Sequence, residues 1–318
     1  MNTRVAIGVD LGGTNLKMAL VSENGDILFE IRKDTHAEMG PDFILTEIEE
    51  GVATLLQKSG AGSVLGIGIG IPGTVFFEKG IVSYPPNLPG WKEEPVRDRF
   101  QEKFDIPVIV ENDANVAALA EKAHGAGKGF NHFLCITLGT GVGGGLILNG
   151  KLYHGAVGAA GEFGHTTINF QGPQCNCGNY GCIERYVGAQ YIVERALQKL
   201  GRYPDSLLKA YTGDSDSISP KLISELAQKE DPLSQETLRE TGELLGIALT
   251  SVVNLLNPEL IVIAGGISNA GEILFEPIRQ KIKALALPLP GSLVRVVKAQ
   301  MGDRSGVVGA AQLAFEKN

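Results

Sequence analysis

The stretch Arg4-Val5-Ala6-Ile7-Gly8-Val9-Asp10-Leu11-Gly12-Gly13-Thr14-Asn15-Leu16 decides how the rest of the chain is read. Arg4 to Asp10 is an apolar run ending in a carboxylate and reads as a strand; Leu11 to Thr14 is a glycine turn. Leu16 to Ser22 reads as a second strand. Asn24-Gly25 is a strong hairpin signal, and Ile27 to Ile31 returns. The same order recurs in the middle of the chain. His132 to Leu138 is apolar, Gly139-Thr140-Gly141-Val142-Gly143-Gly144-Gly145 follows, then Leu146 to Leu148, an Asn149-Gly150 turn and Lys151 to Tyr153. Two separated copies of one supersecondary unit imply an internally duplicated protein.

Working outward, the first copy leads into a helix at Asp42 to Lys58 and strands at Val64 to Gly70 and Pro107 to Val110. The second leads into helices at Glu184 to Leu200 and Ser234 to Leu256, then strands at Glu259 to Ala264 and Leu293 to Val297. The pattern predicts an α/β protein of two domains facing each other across a cleft. A helix at Asp113 to His124 is expected to begin the crossing, and one at Ser305 to Glu316 to return. The expected bounds are 1–115 with 305–318 for a smaller domain, and 116–304 for a larger one.

Composition narrows the function. Over 318 residues, 43% hydrophobic and 20% charged content suits packed cores. The net charge of −8 argues against a broad nucleic-acid or anionic-membrane surface. No window approaches the roughly 20 apolar residues of a membrane span, and Met1 to Asp10 lacks a leader's apolar stretch. Four cysteines, three of them within eight positions, fit a disulfide framework poorly and a metal site in a reducing, cytoplasmic compartment well.

A glycine turn between strands can aim several backbone N–H groups at a phosphate. For one turn alone, a tight hairpin capped by Asp10 would suffice; a matched pair favours a polyphosphate held at both. Gly12, Gly13, Thr14 and Asn15, with Lys17 on the next strand, form the first candidate set, and Gly139, Thr140 and Gly141 the second. Asp10 suits Mg²⁺, which keeps much of its hydration. Gly139, Gly141 and Gly144 match G-x-G-x-x-G, but that fingerprint must open a helix and here it opens a hairpin. Gly68, Gly70 and Gly73 fail in the same way, and no P-loop or protein-kinase motif is present. Gly265-Gly266 follows a buried strand at its carboxyl end and could receive an adenosine, or simply form a helix-entry turn.

Glu111-Asn112-Asp113-Ala114-Asn115 sits where a strand ends and a helix begins. Asp113 is a fair N-cap, and the same place suits a base that takes a hydroxyl proton. Glu162, His165 and Glu184 could fix a polyol. His165, Cys175, Cys177 and Cys182 give H-x₉-C-x-C-x₄-C, four donors suited to tetrahedral zinc in a structural role. One His165 nitrogen would then remain for a hydroxyl or another acceptor. Cys135, inside a strand, reads as an ordinary buried residue.

These residues resemble the ROK family (repressors, open reading frames and sugar kinases) over nearly the whole chain. Asp10 to Asn15 resembles its first phosphate motif and Leu138 to Gly145 the second. Glu162-Phe163-Gly164-His165 with Cys175-Asn176-Cys177-Gly178-Asn179-Tyr180-Gly181-Cys182-Ile183-Glu184 resembles its signature and zinc site. The resemblance implies the duplicated actin-like, ribonuclease-H-like fold and an ATP-dependent hexose kinase, with glucose first among substrates. It implies Asp113 as the base acting on the sugar 6-hydroxyl, and Asn112, Glu162, His165 and Glu184 as sugar ligands, joined by Gly73 and Asn87. It further implies ATP, Mg²⁺ and structural Zn²⁺, and a homodimer or homotetramer. Rivals are a kinase for fructose or an N-acetylhexosamine, a non-catalytic sugar sensor, and a repressor. A repressor's helix-turn-helix would have to precede a first strand that starts at Arg4.

Overall fold

The structure is a computed structural model that describes residues 4–60, 64–213 and 217–317; residues 1–3 of the Met1 to Asp10 stretch read above lie outside them. The order opens β1 (Val5–Leu11), β2 (Asn15–Ser22), β3 (Ile27–Asp34), α1 (Pro41–Lys58) and β4 (Val64–Ile71). Next come β5 (Thr74–Phe76), β6 (Ile81–Ser83), β7 (Glu93–Glu94), α2 (Val96–Phe104), β8 (Val108–Asn112) and α3 (Asp113–His124). The second half holds β9 (Phe133–Leu138), β10 (Val142–Leu148), β11 (Lys151–Leu152), α4 (Glu184–Val187), α5 (Ala189–Lys199), α6 (Pro220–Gln228) and α7 (Pro232–Leu256). It closes with β12 (Leu260–Ala264), α8 (Glu272–Leu285), α9 (Pro288–Leu293), β13 (Arg295–Lys298) and α10 (Ser305–Lys317).

The duplication is explicit in strand order. One sheet runs β3-β2-β1-β4-β8 and the other β11-β10-β9-β12-β13. In the first, β1 and β2 pair antiparallel, as do β2 and β3, while β4 lies parallel to both β1 and β8. In the second, β10 and β11 pair antiparallel, and β12 lies parallel to both β9 and β13. The parallel strands are buried on both faces, so β1 (VAIGVDL) and β12 (LIVIA) are apolar runs rather than alternating ones.

The chain forms two compact units. The first comprises residues up to Gly129, Gly145–Gly161 and everything from Gln300; the second comprises Phe130–Gly144 and Glu162–Ala299. All of α3 therefore lies in the first unit rather than leaving it after residue 115. The reason is close packing. α10 lies on α3, β1 and β4, and the contact surfaces carry glycine. A Cβ on Gly8 would strike the Val307 carbonyl, one on Gly68 the Ala310 carbonyl, and one on Gly309 the Val116 carbonyl. Gly8 and Gly68 are register partners, so α10 meets a flat two-strand platform. On the first unit's apolar core, Ile44, Ile48, Val52 and Leu55 of α1 cluster with Ile7, Met18, Ile67 and Ile69 from the sheet.

Three local expectations change. Gly143, Gly144 and Gly145 lie inside β10 rather than in the turn. The helix expected over Glu184 to Leu200 breaks at Gly188, whose ψ of 153° is extended, into α4 and α5. The short three-stranded sheet β5-β6-β7 and the helices α2, α6, α8 and α9 were not anticipated. Among the described residues, no helix is long and apolar enough to cross a membrane.

Candidate active site

In the first unit, Asp10 sits near the end of β1 with Lys17 as its register partner on β2 and Gly70 on β4. Gly306, in the first turn of α10, has no Cβ because the Asp10 carboxylate occupies that space. Burial pushes the Asp10 carboxyl up to about 6; Lys17 opposes this, while Asp113 and Asp303 add to it. Asp113 therefore lies close enough for its charge to be felt. Lys17, expected at a phosphate, is ion-paired to Asp303, which also binds Arg32 at 2.9 Å.

The first glycine turn is held from inside. Gly12 N–H donates to the Asn15 carbonyl at 2.9 Å, the Thr35 hydroxyl donates to the Gly12 carbonyl at 2.7 Å, and Thr35 N–H donates to the Thr14 carbonyl at 2.8 Å. Thr14 and Asn15 are exposed. Gly13 lies against Asn87, where an added Cβ would be 2.9 Å from the Asn87 Cβ. Asn87, expected in the sugar pocket, thus lies beside the first glycine turn.

The cap of α3 is Asn112, not Asp113. Asn112 Oδ1 accepts from Ala114 N–H at 2.9 Å and Asn115 N–H at 3.3 Å, and Nδ2 donates to the Gly73 carbonyl at 3.0 Å. Gly73 has φ +94°, and a Cβ there would crowd Pro85. Asn112 and Gly73 therefore frame the helix start, and Asp113, one residue on, is exposed in the first turn. Behind it, Glu111 is completely buried. Its Oε1 accepts from Asn112 N–H at 2.8 Å and Asn115 Nδ2 at 2.9 Å, and its Oε2 meets His154 Nε2 at 2.6 Å. Sequence reading missed the His154 partnership, because 43 residues separate the pair.

In the second unit, the other glycine turn is built into the signature region. Gly139 N–H closes the turn on the Gly141 carbonyl at 3.0 Å, and the Gly139 carbonyl accepts from Ala189 N–H at 3.0 Å. Glu184 Oε2 accepts from Val142 N–H at 2.9 Å, and its carboxylate fills the space beside Gly141. A Cβ on Gly164 would strike the Val142 carbonyl. The turn, Glu162-Phe163-Gly164-His165 and Glu184 are thus one packed assembly. Glu162 is exposed and its carbonyl accepts from His165 N–H at 3.1 Å. Gly265, at φ +86°, packs on the Leu138 carbonyl and opens a short 3₁₀ turn over Gly266–Ala270. Leu138, Gly139, Thr140, Ser219, Lys221 and Gly266 are among the residues lining a cavity of about 550 Å³.

His165, Cys175, Cys177 and Cys182 converge, with their donor atoms all within 4.8 Å of one another. Cys175 Sγ lies 3.7 Å from His165 Nδ1, and Cys177 Sγ lies 3.7 Å from Cys182 Sγ. Zinc–sulfur bonds of about 2.3 Å at tetrahedral angles put two sulfurs about 3.8 Å apart, so the donor set fits the ion. Burial, reinforced by the two neighbouring thiols, pushes the Cys182 thiol up to about 12. Three crowded thiols with one so hard to ionise are an arrangement that a cation relieves. His165 turns Nδ1 to the cluster, which leaves Nε2 for another partner.

The ROK family model matches residues 6–317. The chain belongs to the ROK family. Among ROK relatives, a glucokinase from Thermotoga maritima is 36% identical over 98% of this chain and 97% of its own. A xylose repressor from Caldicellulosiruptor bescii is 32% identical over 97% of this chain and 77% of its own. The crystal structure of a ROK glucokinase from Streptomyces griseus, in complex with glucose and AMPPNP, is 36% identical and superposes with a TM-score of 0.83, covering 98% of this chain and 99% of that one. The fold is therefore the duplicated actin-like α/β fold of ROK sugar kinases.

Proposed function

We propose that this chain transfers the terminal phosphoryl group of ATP to the 6-hydroxyl of glucose. The observation that carries this reading is the state of Asp113: exposed in the first turn of α3, with the capping work done by Asn112, and near the Asp10 carboxylate. Phosphoryl transfer needs positioning, charge stabilisation and a base for the acceptor hydroxyl, and Asp113 is that base. Asn112, Gly73, Asn87, Glu162, His165 and Glu184 bind the sugar. The turns Gly12-Gly13-Thr14-Asn15 and Gly139-Thr140-Gly141 bind the phosphates, and the cavity at Gly265-Gly266 takes the nucleoside. Lys17 acts through its ion pair with Asp303, holding the α10 entry beside Asp10.

Mg²⁺, held with the nucleotide near Asp10, would neutralise charge on the transferring group. Zn²⁺ at His165, Cys175, Cys177 and Cys182 would fix the segment between Glu162 and Glu184. Its four protein donors leave no open position, so its role is structural. The near 36% likeness to glucokinases supports glucose as acceptor. A cytoplasmic homodimer or homotetramer is the assembly we expect, and the exposed Leu255, Leu285, Leu287, Leu289 and Leu293 offer apolar surface for it.

The test is an ATP-dependent phosphorylation screen across glucose, fructose, mannose, N-acetylglucosamine and N-acetylmannosamine. Glucose should give the highest kcat/KM. A higher value for an N-acetylhexosamine would reassign the substrate, and no turnover with any sugar, despite measurable sugar binding, would make the chain a sensor.

A further inference from the structure

We propose that His154 is a positioning residue for catalysis, acting through Glu111 on the Asn112–Asp113 start of α3. This rests on the reading of Asp113 as the base. Glu111 is wholly buried, yet both its oxygens are used. Oε1 accepts the Asn112 N–H and the Asn115 side-chain amide, so it fixes the backbone immediately before Asp113 and the first turn of α3 together. Oε2 faces His154 Nε2 at 2.6 Å, and because a carboxylate oxygen accepts, the tautomer that satisfies it carries its N–H on Nε2. A buried carboxylate with one oxygen left unpaired is costly and recovers by rotating toward another partner, which releases the Asn112 N–H.

His154 comes from the segment after β11, far along the chain from Glu111, and is itself held. Its ring stacks on Phe77 with centroids 4.2 Å apart and planes at 24°. The order Phe77, His154, Glu111, Asn112 is thus a contiguous set of contacts within one unit that ends at the residue beside Asp113. None of its first three members is expected to touch sugar or nucleotide. The function is orientation: Asn112 also bonds the Gly73 carbonyl, so a displaced cap moves the whole corner on which Asp113 sits.

Side chains of different reach test this. His154→Asn stays polar but is too short to meet Glu111; His154→Gln can place an amide N–H near the imidazole Nε2. For His154→Asn, kcat should fall about 10- to 100-fold, the loss expected of a small misplacement, with both KM values within about three-fold. His154→Gln should regain most of that loss. Native kcat in His154→Asn, a loss confined to KM, or no recovery in His154→Gln would each overturn the proposal. If His154→Asn melts below assay temperature, Phe77→Leu replaces it. Losing the stack should lower kcat about 3- to 10-fold, and no change would overturn the proposal. Asp113→Asn alone tests the base reading separately. If His154 acts through Asp113, Asp113→Asn with His154→Asn should be no slower than Asp113→Asn alone; multiplied losses would overturn the proposal.

Discussion

Asp113 and Asp10 are both carboxylates at strand ends, but their surroundings divide their work. Asp113 is exposed at a helix start, within reach of solvent. Replacing it with Asn should cost about 10²–10⁴-fold in kcat, the usual worth of a positioned base, while glucose affinity by calorimetry stays near native. Asp10 is different: desolvation first, then two neighbouring carboxylates, hold it near 6 despite Lys17. With the folded value above the ordinary one of 3.8, protons compete with a divalent cation for this group as pH falls through 6. The KM for Mg-ATP should therefore rise as pH drops from about 7 to about 5.5, more steeply at low Mg²⁺. In Asp10→Asn that acid limb should vanish on a weaker baseline; an unchanged limb would remove Asp10 from the cation site. Residue identity alone placed Asp113 and Asp10 among the candidates. It gave the cap to the wrong neighbour, because Asn and Asp are nearly equal as N-caps; both side chains accept from Ala114 N–H, and only the Asn115 N–H bond to Asn112 separates them.

Elements were legible where a period or a turn signal was strong. β1 to β3 and α3 follow their hydrophobic runs and Asn-Gly turn closely. The glycines of β10 were misread because Gly is a poor strand former, and for Gly145 the reason is tertiary: a Cβ there would meet Ala118 and the Ala114 carbonyl of α3. The β5-β6-β7 sheet has strands of two or three residues, too short to show alternation. The segment from Asn169 to Cys182 carries only the isolated bridges Thr167–Cys182 and Gln174–Tyr180, so little regular structure holds it. Metal analysis should find about one zinc per chain. Chelation, or Cys177→Ser, should then weaken glucose affinity before far-UV dichroism changes. Affinity untouched by complete metal removal would separate the cluster from the sugar site. At the β1–β4 platform, Gly68→Ala should lower stability by about 1–3 kcal/mol or more through overpacking against α10, read as a drop in the urea midpoint. A midpoint at or above native would mean that α10 can shift without cost.

On the scale of the whole molecule, the repeated strand order was legible because both copies keep the same glycine turn and Asn-Gly return. The allocation of chain to units was not. Helix α3 and Gly145–Gly161 lie in the first unit through contacts between segments far apart in sequence, which no local pattern records. Discontinuity also shapes how the protein comes to be folded. The opening 129 residues supply β1, β4 and α3, yet α10, which rests on all three, is the last helix of the chain. A nascent chain must therefore keep the glycine-flattened face of β1 and β4 bare until α10, far downstream of both, has left the ribosome. At about 5–20 residues per second, that apolar shelf waits some ten seconds or more for its cover, long enough for holding chaperones to matter to yield.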